Sequence, residues 1–249
     1  MFQTILKNQI KRKKIKYIRL LLLLACFFFV SSQSYAMQTV FNVPSADVTE
    51  KGHVFVQQEA QFRGWNPEAF LNSTTYSAVG IGHNTEIDAT LFNVGAPATQ
   101  NISLGVGFKS AMPIAGLKDK FPEREFKFTV GTNVLIGLEG NGVGNWTYAH
   151  LSGRVPKLNT RLTAGMSYGT KQVFGENSAC FIAAVEQPIN KKVSLIGDWF
   201  SGDEHFAGFL IVGASYALPK KSTLYVGYQI PNTPSNGTSG FVIQIAKIF

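Results

Sequence analysis

Cysteine is scarce in this chain, with only Cys26 and Cys180 among 249 residues. Neither stands in the Cys/His spacing of a zinc site, and no loop has the glycine pattern that cradles phosphate. Cys26 lies in an N-terminal apolar run, so Cys180 is alone in the remainder and has no partner for an internal disulfide. These absences exclude a disulfide-stapled scaffold and a zinc module, and no cofactor is predicted.

An apolar run long enough for a membrane-spanning helix is also missing. The run from Leu20 to Val30 has eleven residues, whereas a spanning helix needs about 20. Seven basic residues precede it, and Ser34-Tyr35-Ala36 follows it as a small-x-small cleavage site. We therefore predict an export signal over residues 1–36, with the mature chain beginning near Met37. A lipoprotein signal at Cys26 is the alternative, although the apolar run continues past that cysteine.

A strong charge of either sign is missing once the signal is set aside. The whole chain has 23 Lys and Arg against 15 Asp and Glu, a net charge of +8. The signal holds seven of those bases and no acid, so sixteen basic residues remain against fifteen acidic ones. The mature chain therefore shows no basis for nucleic-acid binding, and its 213 residues suffice for one sizeable domain.

No helical period persists along the mature chain, but short segments alternate apolar and polar residues. In residues 125–138, Phe126, Phe128 and Val134 share one face while Lys127 and Asn133 lie on the other. The pattern predicts about twelve strands: 53–63, 74–82, 86–94, 101–110, 125–138, 145–155, 161–169, 178–187, 192–200, 205–217, 222–230 and 240–249. Paired glycines inside two of them, Gly80-x-Gly82 and Gly105-x-Gly107, indicate curvature or close packing rather than nucleotide binding.

The connections alternate between tight turns and longer polar loops, which is the rhythm of a transmembrane barrel. Residues 110–124 break the rhythm and are predicted to hold a small surface helix. Residues 37–52 show no strand pattern. We expect them to form a short periplasmic segment or to fold back into the barrel mouth.

A soluble barrel would also alternate, but the polar face of these strands carries charges on successive strands and the apolar face carries almost none. Aromatic residues such as Tyr168, Trp199 and Tyr228 fall near strand ends, where membrane girdles lie. The sequence therefore predicts an all-β, antiparallel, transmembrane up-and-down β-barrel of about twelve strands over residues 53–249. An even number of strands also places both chain ends on one side of the membrane.

In its export signal, its strand rhythm and its aromatic last residue, the chain resembles bacterial outer-membrane β-barrel proteins as a broad class. The resemblance implies an outer-membrane location and contact with its lipid. It also implies that the barrel assembly machinery reads Phe249 and the apolar residues at two-residue steps before it, Ile245, Ile243 and Phe241. Lys247 interrupts this series and must snorkel toward the interface.

The polar face suggests a lumen, and a twelve-strand barrel lies between filled eight-strand barrels and the open channels of sixteen or more. We predict a narrow passive channel or transport protein for small polar solutes. The lumen-lining candidates are Glu59, Glu86, Asp88, Lys127, Arg154, Arg161, Glu186 and Asp198, and the basic residues Lys127, Arg154 and Arg161 form a cluster on three neighbouring strands. The same mixed charges could instead close the lumen as a salt-bridged plug, or the barrel could serve to display its loops.

Catalysis is the competing class. His150-Leu151-Ser152-Gly153 partly resembles the His-x-Ser element of outer-membrane phospholipases and lipid deacylases, with Gly153 where the family has Asn. Because side chains alternate between the two faces of a strand, His150 and Ser152 are expected to point inward with Arg154, away from lipid. Lumen lining is therefore the favoured interpretation. A second cluster, Asp198, Ser201, Asp203, Glu204 and His205, is better explained as turn chemistry than as a cation site. The stretch from Asp198 to Gly202 resembles a family signature, but the sequence assigns no activity to it.

Overall fold

The computed structural model describes residues 38–65, 69–96, 102–140, 142–174, 178–202, 208–234 and 237–249. The predicted export signal lies outside these ranges, as do residues 203–205 of the second polar cluster. Within the described residues, no helix is long and apolar enough to cross a bilayer.

Twelve antiparallel strands form one closed barrel in which each strand pairs with its neighbours in the chain and the last pairs with the first. The strands are β1 (Val54–Arg63), β2 (Phe70–Gly82), β3 (Thr85–Ala96), β4 (Ser103–Pro113), β5 (Lys127–Gly137), β6 (Val143–Val155), β7 (Thr160–Gly169), β8 (Ser178–Pro188), β9 (Val193–Phe200), β10 (Phe209–Leu218), β11 (Ser222–Pro231) and β12 (Gly240–Ile248). The predicted architecture and strand number are confirmed. Closure leaves no unpaired strand edge.

The deviations from prediction occur at strand ends and loops. β2 begins at Phe70, four residues early, because residues 70–73 pair with the end of β1. The long connection after β4 holds a four-residue helix, α1 (Leu117–Lys120), and a 3-10 turn (Pro122–Arg124), as predicted. A second short helix, α2 (Lys171–Phe174), lies in a segment that was predicted to be a loop.

The two faces of the wall are inverted relative to a soluble protein. Glu86 and Asp88 are 0% and 3% exposed, while Ile87 between them is 50% exposed. The same holds for Lys109 at 1% and its neighbour Phe108 at 40%. Polar side chains therefore point into the barrel and apolar ones point outward, as a lipid-facing belt requires.

The tight turns and the long connection after β4 lie at one end of the barrel, which we call the short-turn end, and the other longer loops lie at the opposite end, the long-loop end. The turn between β2 and β3 has only His83 and Asn84, both with positive φ (52° and 55°), as a two-residue hairpin turn requires. Val54 and Phe249 exchange backbone hydrogen bonds of 3.3 and 2.8 Å at this end. Both ends of the barrel chain thus meet at the short-turn end.

Candidate functional site

The lumen is occupied by the chain's own N-terminal segment, residues 38–49, which we call the plug. It folds as a tight hairpin in which the Val40 amide donates to the Val43 carbonyl (2.9 Å) and the Ser45 amide donates to the Gln38 carbonyl (3.0 Å). Val40, Phe41 and Val43 are no more than 1% exposed. The space inside the barrel is therefore filled by a separate segment as well as by side chains of the wall.

The plug enters the barrel over Gly80, near the short-turn end of β2. Lys51 forms a parallel bridge with Gly80, and the Gly52 amide donates to the Gly80 carbonyl over 3.0 Å. A Cβ atom at Gly80 would lie 2.2 Å from the Glu50 carbonyl oxygen and 2.3 Å from that of Thr49. Any side chain here would collide with the entering backbone, so this strand glycine serves close packing.

Asp198 binds the tip of the plug. Its Oδ2 atom accepts three backbone N–H groups, from Phe41 at 2.9 Å, Asn42 at 2.6 Å and Val43 at 2.7 Å. Hydrogen bonds to a charged acceptor are stronger than neutral ones, and here three converge on one buried oxygen. This contact places the first residue of the signature-like stretch inside the lumen. Its neighbour Trp199 points outward and donates from Nε1 to the Asn232 side chain at 3.0 Å.

The Phe41 ring packs against two glycines of the barrel wall. Cβ atoms added at Gly213 and Gly227 would lie 2.9 and 2.6 Å from its Cζ atom. On the adjoining strand β12, the Gln244 side chain donates to the Phe41 carbonyl at 3.1 Å. Phe41 is thus held both through its ring and through its backbone.

Near the short-turn end, Asp47 of the plug meets the predicted basic cluster. Arg161 binds it through two hydrogen bonds of 2.8 and 3.0 Å and also contacts Glu186 at 3.4 Å. Lys127 lies 3.8 Å from Asp47 and donates to the Ala46 carbonyl at 3.0 Å.

Arg154, the third member of the predicted basic cluster, lies outside this contact with the plug. Its Nε atom donates to Glu125 at 2.7 Å. Every base of the cluster therefore has a carboxylate partner.

Further into the lumen, Lys109 and Glu86 hold the two ends of the plug. Lys109 donates to the backbone carbonyl and side-chain oxygen of Gln38 at 2.9 and 2.5 Å and lies 3.1 Å from Glu86. Glu86 in turn accepts the Thr49 amide at 2.6 Å and the Tyr76 hydroxyl at 3.1 Å. Lys109 was not among the predicted lumen candidates, and its role depends on a plug that periodicity does not reveal.

A cavity of about 430 Å³ lies above the plug, and we call it the vestibule. Its floor includes Phe41 and Asn42 of the plug, and its rim includes Gly237 and Thr238 at the long-loop end. Two predicted lumen candidates, Glu59 and Asp88, line it. The plug therefore separates the vestibule from the short-turn end.

His150 and Ser152 both lie on the lumen face, 2% and 5% exposed. The His150 ring stacks against Tyr148 with centroids 6.3 Å apart, and no hydrogen bond between His150 and Ser152 occurs in the described part of the chain. The geometry thus does not bring His150 and Ser152 together as base and nucleophile for attack on lipid. The described residues also contain no group of three or more His, Cys, Asp or Glu that could hold a metal ion.

The fold is similar to that of solved outer-membrane channels. The NanC porin aligns with a TM-score of 0.50 at 13% identity, covering 78% of this chain and 98% of that one. An outer-membrane channel from Pseudomonas putida F1 aligns with a TM-score of 0.52 at 8% identity, covering 88% of this chain and 100% of that one.

By sequence, neither a family model nor a curated protein matches the chain. The structural likeness and the inverted faces of the wall together support the predicted class at the level of fold. The chain therefore has the fold of bacterial outer-membrane β-barrels, a closed transmembrane barrel of twelve antiparallel strands.

Proposed function

We propose that the protein is a passive channel for small polar solutes in the bacterial outer membrane, and that the plug closes it at rest. One observation carries the proposal: the lumen is filled by a segment that contributes no strand to the wall. The plug's contacts with the barrel go mainly to side chains such as Asp198, Arg161 and Lys109. The plug can therefore leave without opening a single strand pair.

Release of the plug would uncover a barrel wall that is suited to the passage of polar solutes. Gln57, Glu59, Thr129 and Gln244 all point inward and are less than 7% exposed in the closed state. Hydroxyl, amide and carboxylate groups along a pore replace the hydrogen bonds that a solute loses with water. An interior meant only to stabilise a closed barrel would be better served by apolar side chains, because buried ion pairs add little net stability.

The test compares two folded proteins in planar bilayers, residues 37–249 and a shorter chain that begins at Glu50. We expect brief, rare openings from the first and steady conductance from the second, because the shorter chain lacks the whole plug. Circular dichroism and the mobility shift of folded barrels on unheated gels establish that both are assembled. If the assembled shorter chain is silent, the channel proposal fails and a structural or loop-displaying barrel takes its place.

We propose a channel rather than an enzyme, since His150 and Ser152 line the lumen and do not pair. For the last strand, we propose that the assembly machinery reads its outward residues. Phe249 and Ile245 are 61% and 52% exposed on the outer surface, and the Lys247 ammonium lies 4.3 Å from the centre of the Phe249 ring. That contact lets a charged residue remain at the interface without interrupting the apolar outer surface.

A further inference from the structure

The charged groups of the vestibule differ in how many hydrogen-bonding positions they leave available to a solute. Of its described lining residues, three are charged: Glu59, Asp88 and Lys109. Arg63, another base near the long-loop end, does not line the vestibule and stacks 5.3 Å from the centre of the Trp65 ring. Within the described part of the chain, the vestibule therefore has two carboxylates and one ammonium with which to bind a charged solute.

The ammonium group of Lys109 already has a hydrogen-bond partner for each of its N–H groups. Lys109 has three N–H donors, and they are matched by the Gln38 carbonyl, the Gln38 side-chain oxygen and the Glu86 carboxylate. An anionic solute would have to break one of these contacts to reach it. Lys109 thus serves the plug and offers no free donor to the vestibule.

Asp88 lies near the charge of Lys109 and is hydrogen-bonded by Asn133, but one of its carboxylate oxygens keeps spare capacity. Its Oδ1 atom has no hydrogen-bond partner among the described residues, although the side chain is only 3% exposed. Asp88, Gly107, Asn133 and Trp146 face one another in register across β3 to β6. A Cβ atom at Gly107 would lie 2.8 Å from the Asn133 side chain, so the glycine leaves room in this row. A buried carboxylate oxygen without a partner favours a cation nearby.

Aromatic rings line the same side of the vestibule. The Trp146 ring lies 4.9 Å from Tyr148 and 6.5 Å from Phe200, centroid to centroid, and all three residues line the cavity. The face of an aromatic ring attracts an ammonium group, most strongly for Trp and where water is excluded. Carboxylate and aromatic face together favour cationic solutes, and the volume of about 430 Å³ falls within the range of small-molecule sites.

From this geometry we infer that the vestibule is a binding site for small solutes that carry an ammonium group. The inference rests on the proposed channel and specifies its solute class. Asp88 supplies the counter-charge, Trp146 and Tyr148 supply aromatic faces, and the amides around them bind the solute's remaining polar groups. Anionic solutes bind poorly because Lys109 is committed to the plug.

The test uses the folded mature protein with Trp65→Phe and Trp199→Phe, so that Trp146 is the sole tryptophan. Its fluorescence is titrated with ethanolammonium, glycerol and acetate at constant ionic strength. We expect saturable quenching by ethanolammonium alone, and an affinity at least about tenfold lower in Asp88→Asn, because the substitution removes a charge-assisted hydrogen bond. Asp119→Asn, on the exposed helix α1, is the matched control and should leave the affinity unchanged.

Three outcomes overturn the inference. Equal binding of glycerol, unaffected by Asp88→Asn, would identify a neutral polar site, and preferential binding of acetate would show that Lys109 is available. Absence of binding by any probe in a demonstrably folded protein would also refute it. Fluorescence reports binding whether or not the protein conducts. Binding by a protein that does not conduct would therefore refute the channel proposal but support the binding site. Conductance without binding would support the channel and refute the binding site.

Discussion

Replacing Asp198 by Asn should open the channel, because this carboxylate is the principal contact at the tip of the plug. Asn has nearly the same shape and preserves the packing between β9 and the plug. The substitution nevertheless removes the negative charge that three backbone N–H groups of residues 41–43 share. It therefore tests the strength of the contact rather than the fit of the side chain.

The size of the effect follows from those three hydrogen bonds. A bond to a charged acceptor contributes about 1.5–3 kcal/mol, and a neutral bond contributes about 0.5–1.5 kcal/mol. Neutralising the acceptor thus weakens each bond by about 1 kcal/mol and the plug's closed position by about 3 kcal/mol. This is an upper value, since the carboxylate also loses its water when the plug seats. At about 1.4 kcal/mol per tenfold change, the ratio of open to closed channels rises by up to about 100-fold.

Open probability in planar bilayers measures this ratio directly, with Asp119→Asn as the charge-matched control. A second readout is protease cleavage within residues 38–49, followed by mass spectrometry, because a released plug becomes accessible. Both measurements should change in Asp198→Asn and neither in the control. An Asp198→Asn protein that is folded, closed and as protease-resistant as the unsubstituted protein would refute the reasoning that this contact holds the plug.

Four further changes test other parts of the structure. Arg161→Gln removes a partner of the buried Glu186 and of the partly buried Asp47, and should lower the free energy of unfolding by about 3 kcal/mol in urea titrations, with increased conductance. Gly80→Val collides with the entering backbone and should give open channels and a protease-sensitive plug, whereas an intact closed plug would contradict the close approach. Phe249→Ala should reduce the folded fraction in outer-membrane preparations on unheated gels, and normal assembly would show that this residue is not read. Ser152→Ala should leave conductance unchanged, and any lipid hydrolysis lost with it would revive the enzymatic alternative.

Sequence periodicity was sufficient to predict the barrel wall because each strand repeats the same local rule. Glu86, Ile87 and Asp88 alternate in burial as their polarity alternates, and parity assigned each to the correct face. Strand ends were harder to place, since residues 70–73 at the start of β2 do not alternate apolar and polar residues. Their pairing with β1 decides that boundary, and pairing partners cannot be read from one strand.

For residues 37–52 the sequence left two alternatives, a periplasmic segment or a return into the barrel mouth, and it could not predict the plug itself. Its residues have neither a helical nor a strand period, and their positions depend on contacts with strands far along the chain. The apolar Val40, Phe41 and Val43, in a segment without a strand pattern, were the one available signal that something must cover them. Asp198 was assigned to the lumen, but the sequence gives no sign that its partners are backbone amides from the N-terminal segment.

The plug's contacts also impose an order on assembly. Phe41 donates its amide to Asp198, 157 residues away, and its carbonyl accepts from Gln244, 203 residues away. The seat for the plug therefore does not exist until β9 and β12 have joined the wall, and contacts across such distances form late because they close long loops. A newly assembled barrel would then pass through a stage with an unfilled lumen. Closure of the permeability path is, on this view, the last step of maturation rather than a property of the wall itself.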